Sequence, residues 1–280
     1  MHPTLIAGPQ WAVLISLWLD YLRSCDSSRE TVKLRSYQLR RLAVALPDAD
    51  PLRVGLDDLA AWLSAKDWSA QTRRSARSAA RQFFGWLQLT GRRMDNPALG
   101  LRSRPAPPGT HRPADEMSVR RIQGSADERT ALMGKLASIE AMRACEIAVV
   151  HTDDVIEDLV GHSLIVHGKG GKTRTIPLDD EIAREILDRP RGYVFPGRID
   201  GHLSAPYVSK LLSRALPPGV TGHMLRHRGA GKVYAGTGYD LRATQKFLGH
   251  ASVVTTQIYT PARDSQMRLG MLAAAERAVG

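Results

Sequence analysis

Apolar residues recur at helical intervals along the first hundred positions, and two of these runs open on a serine placed to cap a helix. Residues 11–21 form a mostly apolar segment with helical spacing. Ser28 is placed to cap a second helix, with Leu34, Leu39, Leu42 and Leu46 on its core face and Arg40 and Arg41 outward. Residues 56–63 predict a short third helix. Ser69 would cap a fourth over residues 70–89, whose apolar stripe is Ala76, Ala80, Phe83, Phe84 and Leu87. On that same helix Arg73, Arg77 and Arg81 fall at i, i+4 and i+8 and so form one basic row.

Residues 96–115 hold five prolines and predict a break in the chain. The expected organisation is a helical domain over residues 1–100, a Pro-rich linker over 101–115 and a second domain over 116–280. The second domain mixes periods. Residues 126–150 predict a largely helical stretch. Residues 164–166 predict a strand, 168–171 a turn and 173–178 the return strand, a β-hairpin with Lys169 at its tip. Further helices are expected over 180–187, from a cap at Ser204 to Leu216, from His223 to about Tyr234, and over 241–248. Pro261 would stop the segment holding Tyr259. A final helix is expected over 263–279, with Met267, Met271, Leu272 and Ala275 on one side. The fold expected is mainly α with a small β-sheet.

Composition changes this picture in one respect. A chain of 280 residues, 43% hydrophobic and 24% charged, is long enough for two ordinary globular domains. Its formal net charge of +11 marks it out, because such a surface attracts polyanions, nucleic acid first. Of its 39 basic residues only eight are lysine, and arginine forks onto phosphate oxygens where lysine acts as a point charge. The arginine row on the fourth helix is either a solvated face or a backbone-contacting one. Few carboxylates lie near it in sequence, which favours DNA phosphate as its counter-charge; Arg40 and Arg41 join that candidate surface. Cys25 and Cys145 are the only cysteines, too few for a disulfide framework, and they suggest a reducing compartment. The N-terminus makes a poor signal peptide, and no apolar run approaches a membrane span. A soluble, cytoplasmic protein is expected, with no membrane partner.

The candidate chemistry sits late in the chain. Arg143 and Glu146 are three residues apart, as are His223 and Arg226, a spacing that places each pair on one helix face. Lys169, His250 and Tyr259 complete the set. Breaking a phosphodiester builds negative charge on the non-bridging oxygens, and fixed cations stabilise it. Arg143 and Arg226 are suited to clamp those oxygens, and Lys169 to reach the departing oxygen. His223 and His250 are suited to donate to the phosphate or to exchange a proton. Tyr259 supplies a phenol that needs a base or a positive surround to ionise near neutral pH. His223 and His227 also have the i, i+4 spacing of metal ligands. The glutamate of a zinc-protease helix is absent between them and no carboxylate motif completes a site, so neither metal nor cofactor is expected.

The stretch GHMLRHRGAGKVYAGTGYDLRATQKFLGHASVVTTQIYT, residues 222–260, resembles the C-terminal signature of the tyrosine recombinases, the phage integrase family, almost throughout. The resemblance implies that Arg143, Lys169, His223, Arg226 and His250 are the catalytic set and Tyr259 the nucleophile. It implies supporting roles for Glu146 and Asp154. It further implies a helical core-binding domain in residues 1–100 and a mixed α/β catalytic domain. The expected reaction is cleavage and rejoining of double-stranded DNA through a 3′-phosphotyrosine bond, in a homotetramer on synapsed sites, with the C-terminal helix able to pack on a neighbouring subunit. Only about ten residues precede the first helix, too few for the arm-binding domain of many integrases. A compact phage or mobile-element integrase is therefore the first expectation. A chromosome-dimer-resolving recombinase is the alternative, followed by a type IB topoisomerase and, more remotely, a DNA-binding regulator without catalysis. The chain departs from the family in two places. Ala141-Met142-Arg143 stands where Gly-Leu-Arg is usual, and Arg228-Gly229-Ala230-Gly231 follows His227 in place of small hydroxyl or aromatic residues.

Overall fold

A computed structural model describes residues 6–65, 67–102, 112–168, 171–249 and 271. The chain divides into two compact units, Met1–Gly109 and Thr110–Gly280.

The first unit is helical. It consists of α1 (Pro9–Ser24), α2 (Arg29–Ala45), α3 (Leu56–Ser64), α4 (Ala70–Leu89) and a 3₁₀ turn at Pro97–Gly100. Ser28 and Ser69 cap α2 and α4 by accepting from Thr31 N–H and Thr72 N–H, which satisfies amide donors that the first turn leaves open. The core gathers around aromatic rings. Trp11 stacks on Phe83, with centroids 6.1 Å apart, and Trp18 meets the same ring edge-on at 5.6 Å. Leu39, Leu42, Leu59 and Leu87 fill the space between them. Leu34 does not join this core and stays exposed. The buried face of α2 runs instead through Val32, Gln38, Leu39, Leu42 and Ala43. Arg41, expected to point outward, lies with its guanidinium over the Trp68 ring at 4.1 Å and the Tyr37 ring at 5.4 Å.

The second unit places helices around a three-stranded antiparallel sheet of order β1-β2-β3 (Val155–Asp158, Gly161–His167, Thr173–Leu178). The register pairs Leu164 with Ile176 and His167 with Thr173, so the expected hairpin is present. Leu164, Val166, Ile176 and Leu178 face the core, where they join Leu132, Leu136, Ile147, Phe195 and Leu212. The helices are α5 (Glu116–Gln123), α6 (Glu128–Ser138), α7 (Ala144–Ile147), α8 (Asp180–Leu187), α9 (Ala205–Ala215), α10 (Gly222–Gly236) and α11 (Leu241–Leu248); a short strand, β4 (Pro196–Ile199), precedes α9. The stretch 126–150, expected to be one largely helical run, is broken. Helix α6 ends at Ser138, Ala141 takes the left-handed conformation with φ +50°, and α7 is a separate turn of helix. Both flanks of the Pro-rich segment belong to the units. Leu101 is buried in the first core, while Ala114 is buried in the second and donates its N–H to the Met224 carbonyl at 3.0 Å. Among the described residues no helix is long and apolar enough to cross a membrane.

Candidate active site

Glu146 is the centre of the site. Its side chain is 1% exposed, and three guanidiniums converge on it. Arg143 is the N-cap residue of α7 rather than part of the helix. Its backbone N–H donates to Glu146 Oε2 at 2.8 Å and its Nη1 to Oε1 at 2.7 Å, so the i, i+3 pair closes as a capping interaction. Arg174, on β3, donates Nη1 to Oε1 at 2.8 Å and Nη2 to Oε2 at 3.1 Å, the two-pronged geometry of strong arginine–carboxylate pairs. Arg226, on α10, brings Nη1 to 3.5 Å from Oε2 and also donates Nη1 to the Ala141 carbonyl. Burial pushes the Glu146 carboxyl up. The hydrogen bonds from Arg174 and from the Arg143 N–H, with the charges of Arg174 and Arg226, outweigh it and hold the group below the usual carboxylate range.

One carboxylate against three guanidiniums leaves an excess of positive charge. The last turn of α11 moderates it, since the unsatisfied carbonyls at a helix C-terminus carry partial negative charge. The Leu248 carbonyl accepts from Arg226 Nη2 at 3.0 Å and from Arg143 Nη1 at 3.3 Å, and the Phe247 carbonyl accepts from Arg174 Nε at 2.8 Å. The side chain of Arg143 is 37% exposed, whereas those of Arg174 and Arg226 are 13% and 2% exposed. Of the three, Arg143 is the one most open to a ligand. His223 is exposed on the first turn of α10, and its ring meets that of His227 edge-on with centroids 4.2 Å apart.

The remaining predicted residues divide clearly. Asp154 touches none of the arginines. Its Oδ2 accepts the His151 N–H at 3.1 Å, and its Oδ1 lies 2.7 Å from His167 Nε2, at the turn end of the hairpin. Lys169, His250, Tyr259 and the helix expected over 263–279 lie outside the described residues, apart from Met271, which is helical and exposed. In the first unit, Arg73 donates Nε and Nη2 to the Trp68 carbonyl at 3.1 and 2.8 Å, and Arg81 donates to the carbonyls of Ala98, Leu99 and Leu101. Burial and then the charges of Arg81, Arg74 and Arg73 push the Arg77 guanidinium down, the mark of a crowded positive row. Arg40 is exposed.

Arg174 was not among the predicted site residues. Its signal was parity. It shares a sheet face with Ile176 and Leu178, and a charged residue at an inward position of a strand needs a buried counter-charge.

The Phage integrase family model matches residues 115–266, the span that holds Arg143, Lys169, His223, Arg226, His250 and Tyr259. The chain is 34% identical over 219 residues to tyrosine recombinase XerC of Chromobacterium violaceum, covering 71% of this chain and 72% of that one. It is 33% identical over 242 residues to tyrosine recombinase XerD of Caulobacter vibrioides, covering 76% of each. A lambda integrase dimer bound to a core site shares its fold, with a TM-score of 0.70 at 20% identity over 89% of this chain and 76% of that one. The chain belongs to the phage integrase family, the tyrosine recombinases, which cut and rejoin DNA strands.

Proposed function

We propose that this chain is a site-specific recombinase in which Arg143 and Arg226 bind the scissile phosphate of a DNA duplex and Tyr259 attacks it. The observation that carries the reading is the Glu146 cluster, a fixed, net positive group with Arg143 open at its edge. Such a cluster matches the charge that develops on the non-bridging oxygens without reorganising as the reaction proceeds. The Tyr259 oxygen forms a bond to phosphorus, and the bond to the 5′-oxygen breaks. Lys169 protonates that leaving oxygen, and His223 takes the phenolic proton. His250 donates to a phosphate oxygen. The product is a 3′-phosphotyrosine link and a free 5′-hydroxyl. A 5′-hydroxyl from a second duplex then reverses the step, and no net bond energy is lost. Residues 1–100 act as the core-type DNA-binding domain, and four subunits act on two sites in the cytoplasm.

Covalent capture tests this. The protein is incubated with sheared genomic DNA of its source organism and the covalently retained fragments are sequenced; the site recovered is then built into a nicked suicide duplex. Wild-type protein is expected to form a denaturant-resistant adduct. Tyr259→Phe is expected to form none while binding the duplex with similar affinity, and an adduct with the phenylalanine variant rejects the nucleophile. Lys169→Ala is expected to cut slowly and to recover on a 5′-thio substrate, whose leaving group departs without a proton; no recovery rejects the general acid.

The biological role has two readings. Integration of a phage or mobile element is the first. Resolution of chromosome dimers has its own support, because the relatives of 31–34% identity include tyrosine recombinases named XerC and XerD. Captured DNA that maps to an attachment site beside a mobile element favours the first reading, and a single chromosomal site of the organism favours the second.

A further inference from the structure

The proposed reaction uses two of the three guanidiniums that meet at Glu146. The third, Arg174, has no part in it, yet its guanidinium makes the two-pronged pair with Glu146. It binds both oxygens of Glu146 and, through Nε, the Phe247 carbonyl. The next carbonyl along, Leu248, accepts from both Arg143 and Arg226. Successive carbonyls at the end of α11 are therefore held by three arginines that share one carboxylate. The following residue, Gly249, turns the chain with φ +62° and lies directly against Arg174: a Cβ there would fall 2.9 Å from both Cδ and Nη1. The turn that leads to His250 thus rests on the Arg174 guanidinium.

We propose that Arg174 is a positioning residue for strand cleavage. It locks Glu146, and with it Arg143 and Arg226, to the end of α11, and so sets where the segment beginning at His250 leaves the arginine pair. The inference rests on the reading of Arg143 and Arg226 as the phosphate clamp. Planarity is the physical requirement. A single guanidinium offers N–H groups in one plane to both carboxylate oxygens and to a carbonyl, whereas an ammonium is a point charge and cannot hold all three.

The test is single-turnover cleavage of the nicked suicide duplex at saturating protein, with duplex affinity and melting temperature measured in parallel. Arg174→Lys is expected to slow cleavage by about 10- to 100-fold, the scale of an ångström-level misplacement, with affinity within about threefold of wild type. Because Arg174 acts through Glu146, Arg174→Lys combined with Glu146→Gln is expected to cut no more slowly than the slower single variant, a non-additivity that a loss of general stability does not produce. Arg174→Gln carries the same expectations and replaces the lysine variant if that one does not fold. Arg143→Ala and Arg226→Ala are run alongside. If they cut at the wild-type rate, the clamp reading is wrong. If they fail to cut while the Arg174 variants cut within about threefold of wild type, or if the Arg174 and Glu146 losses multiply, the positioning role alone is overturned. Failure of both Arg174 variants to fold assigns the residue to stability and overturns it as well.

Discussion

At the scale of single residues, two departures from the family pattern explain one another. Ala141 holds φ +50°, a conformation that glycine adopts without cost, and its carbonyl accepts from Arg226. Its methyl needs room, and Gly229 on α10 provides it: a Cβ at 229 would lie 3.1 Å from the Ala141 Cβ and 2.8 Å from the Ser138 carbonyl oxygen. Gly229→Ala is therefore expected to cost about 2–3 kcal/mol in a denaturant titration, because a backbone atom must shift. Gly231, two residues on, has nothing within 4 Å of its would-be Cβ. Gly231→Ala is expected to gain about 0.5–1 kcal/mol from helix propensity alone, and equal effects at the two sites would refute the packing argument. Glu140 offers a pH signature. It is buried and accepts the Asp179 N–H at 3.1 Å. Burial raises its carboxyl to about 7; the Asp179 N–H opposes that rise and the Asp179 charge adds to it. A folded-state value above the ordinary 4.5 means that folding favours the neutral acid. That contribution is complete below about pH 4.5 and is lost as pH rises through about 7. Glu140→Gln stays neutral and keeps the acceptor. It should be more stable than wild type at pH 8, by on the order of 3 kcal/mol at most, and the gap should close as pH falls below about 4.5.

At the scale of elements, α4 separates two uses of arginine on one helix face. Arg81 ties α4 to the turn after it through three backbone carbonyls, whereas Arg77 sits among like charges. Arg81→Ala is expected to lower stability by about 1–3 kcal/mol, since hydrogen bonds to a charged donor are lost. Arg77→Ala is expected to leave stability nearly unchanged and to reduce the slope of log affinity against log salt by about one. Calorimetry and DNA titration at several salt concentrations separate these outcomes. The elements also show what a sequence can carry. Helices with a strong apolar stripe and a capping serine, α2 and α4, and the return strand after the Gly-Lys turn, β3, were legible at nearly their true bounds, whereas only 164–166 of β2 was, because its flanking residues are glycine, histidine and serine. Helix α5 was not, because only Ser118, Val119 and Ile122 of its eight residues are buried. Strand β1 was missed because Glu157 and Asp158 make it polar and it buries none of its residues. The break at residues 139–143 contains neither glycine nor proline, and an alanine makes the left-handed turn, so no local signal marks it. In the site, chain order and spacing identified Arg143, Glu146 and Arg226. Arg174 had only its parity with Ile176 and Leu178 as a signal, and its partners Glu146 and Phe247 are far from it in sequence.

At the scale of the whole molecule, charge and core tell different stories. Each unit has its own hydrophobic cluster, one built on tryptophan and phenylalanine and the other on the sheet and the helices around it. The net charge of +11 belongs to the chain as a whole and governs its approach to a polyanion. If six or more phosphates are neutralised, duplex affinity should fall by about 10³ or more between 50 and 200 mM salt; a fall of less than tenfold would place most of the basic surface off the DNA. Gly249, pinned against Arg174 at the end of α11, also fixes one point on the chain ahead of Tyr259. Ten residues of chain lead from it to Tyr259. Fully stretched, that length carries the Tyr259 Cα at most about 33–36 Å from Gly249, so on the proposed reading the attacked phosphorus lies within that distance plus the reach of one tyrosine side chain, in this subunit or in one beside it.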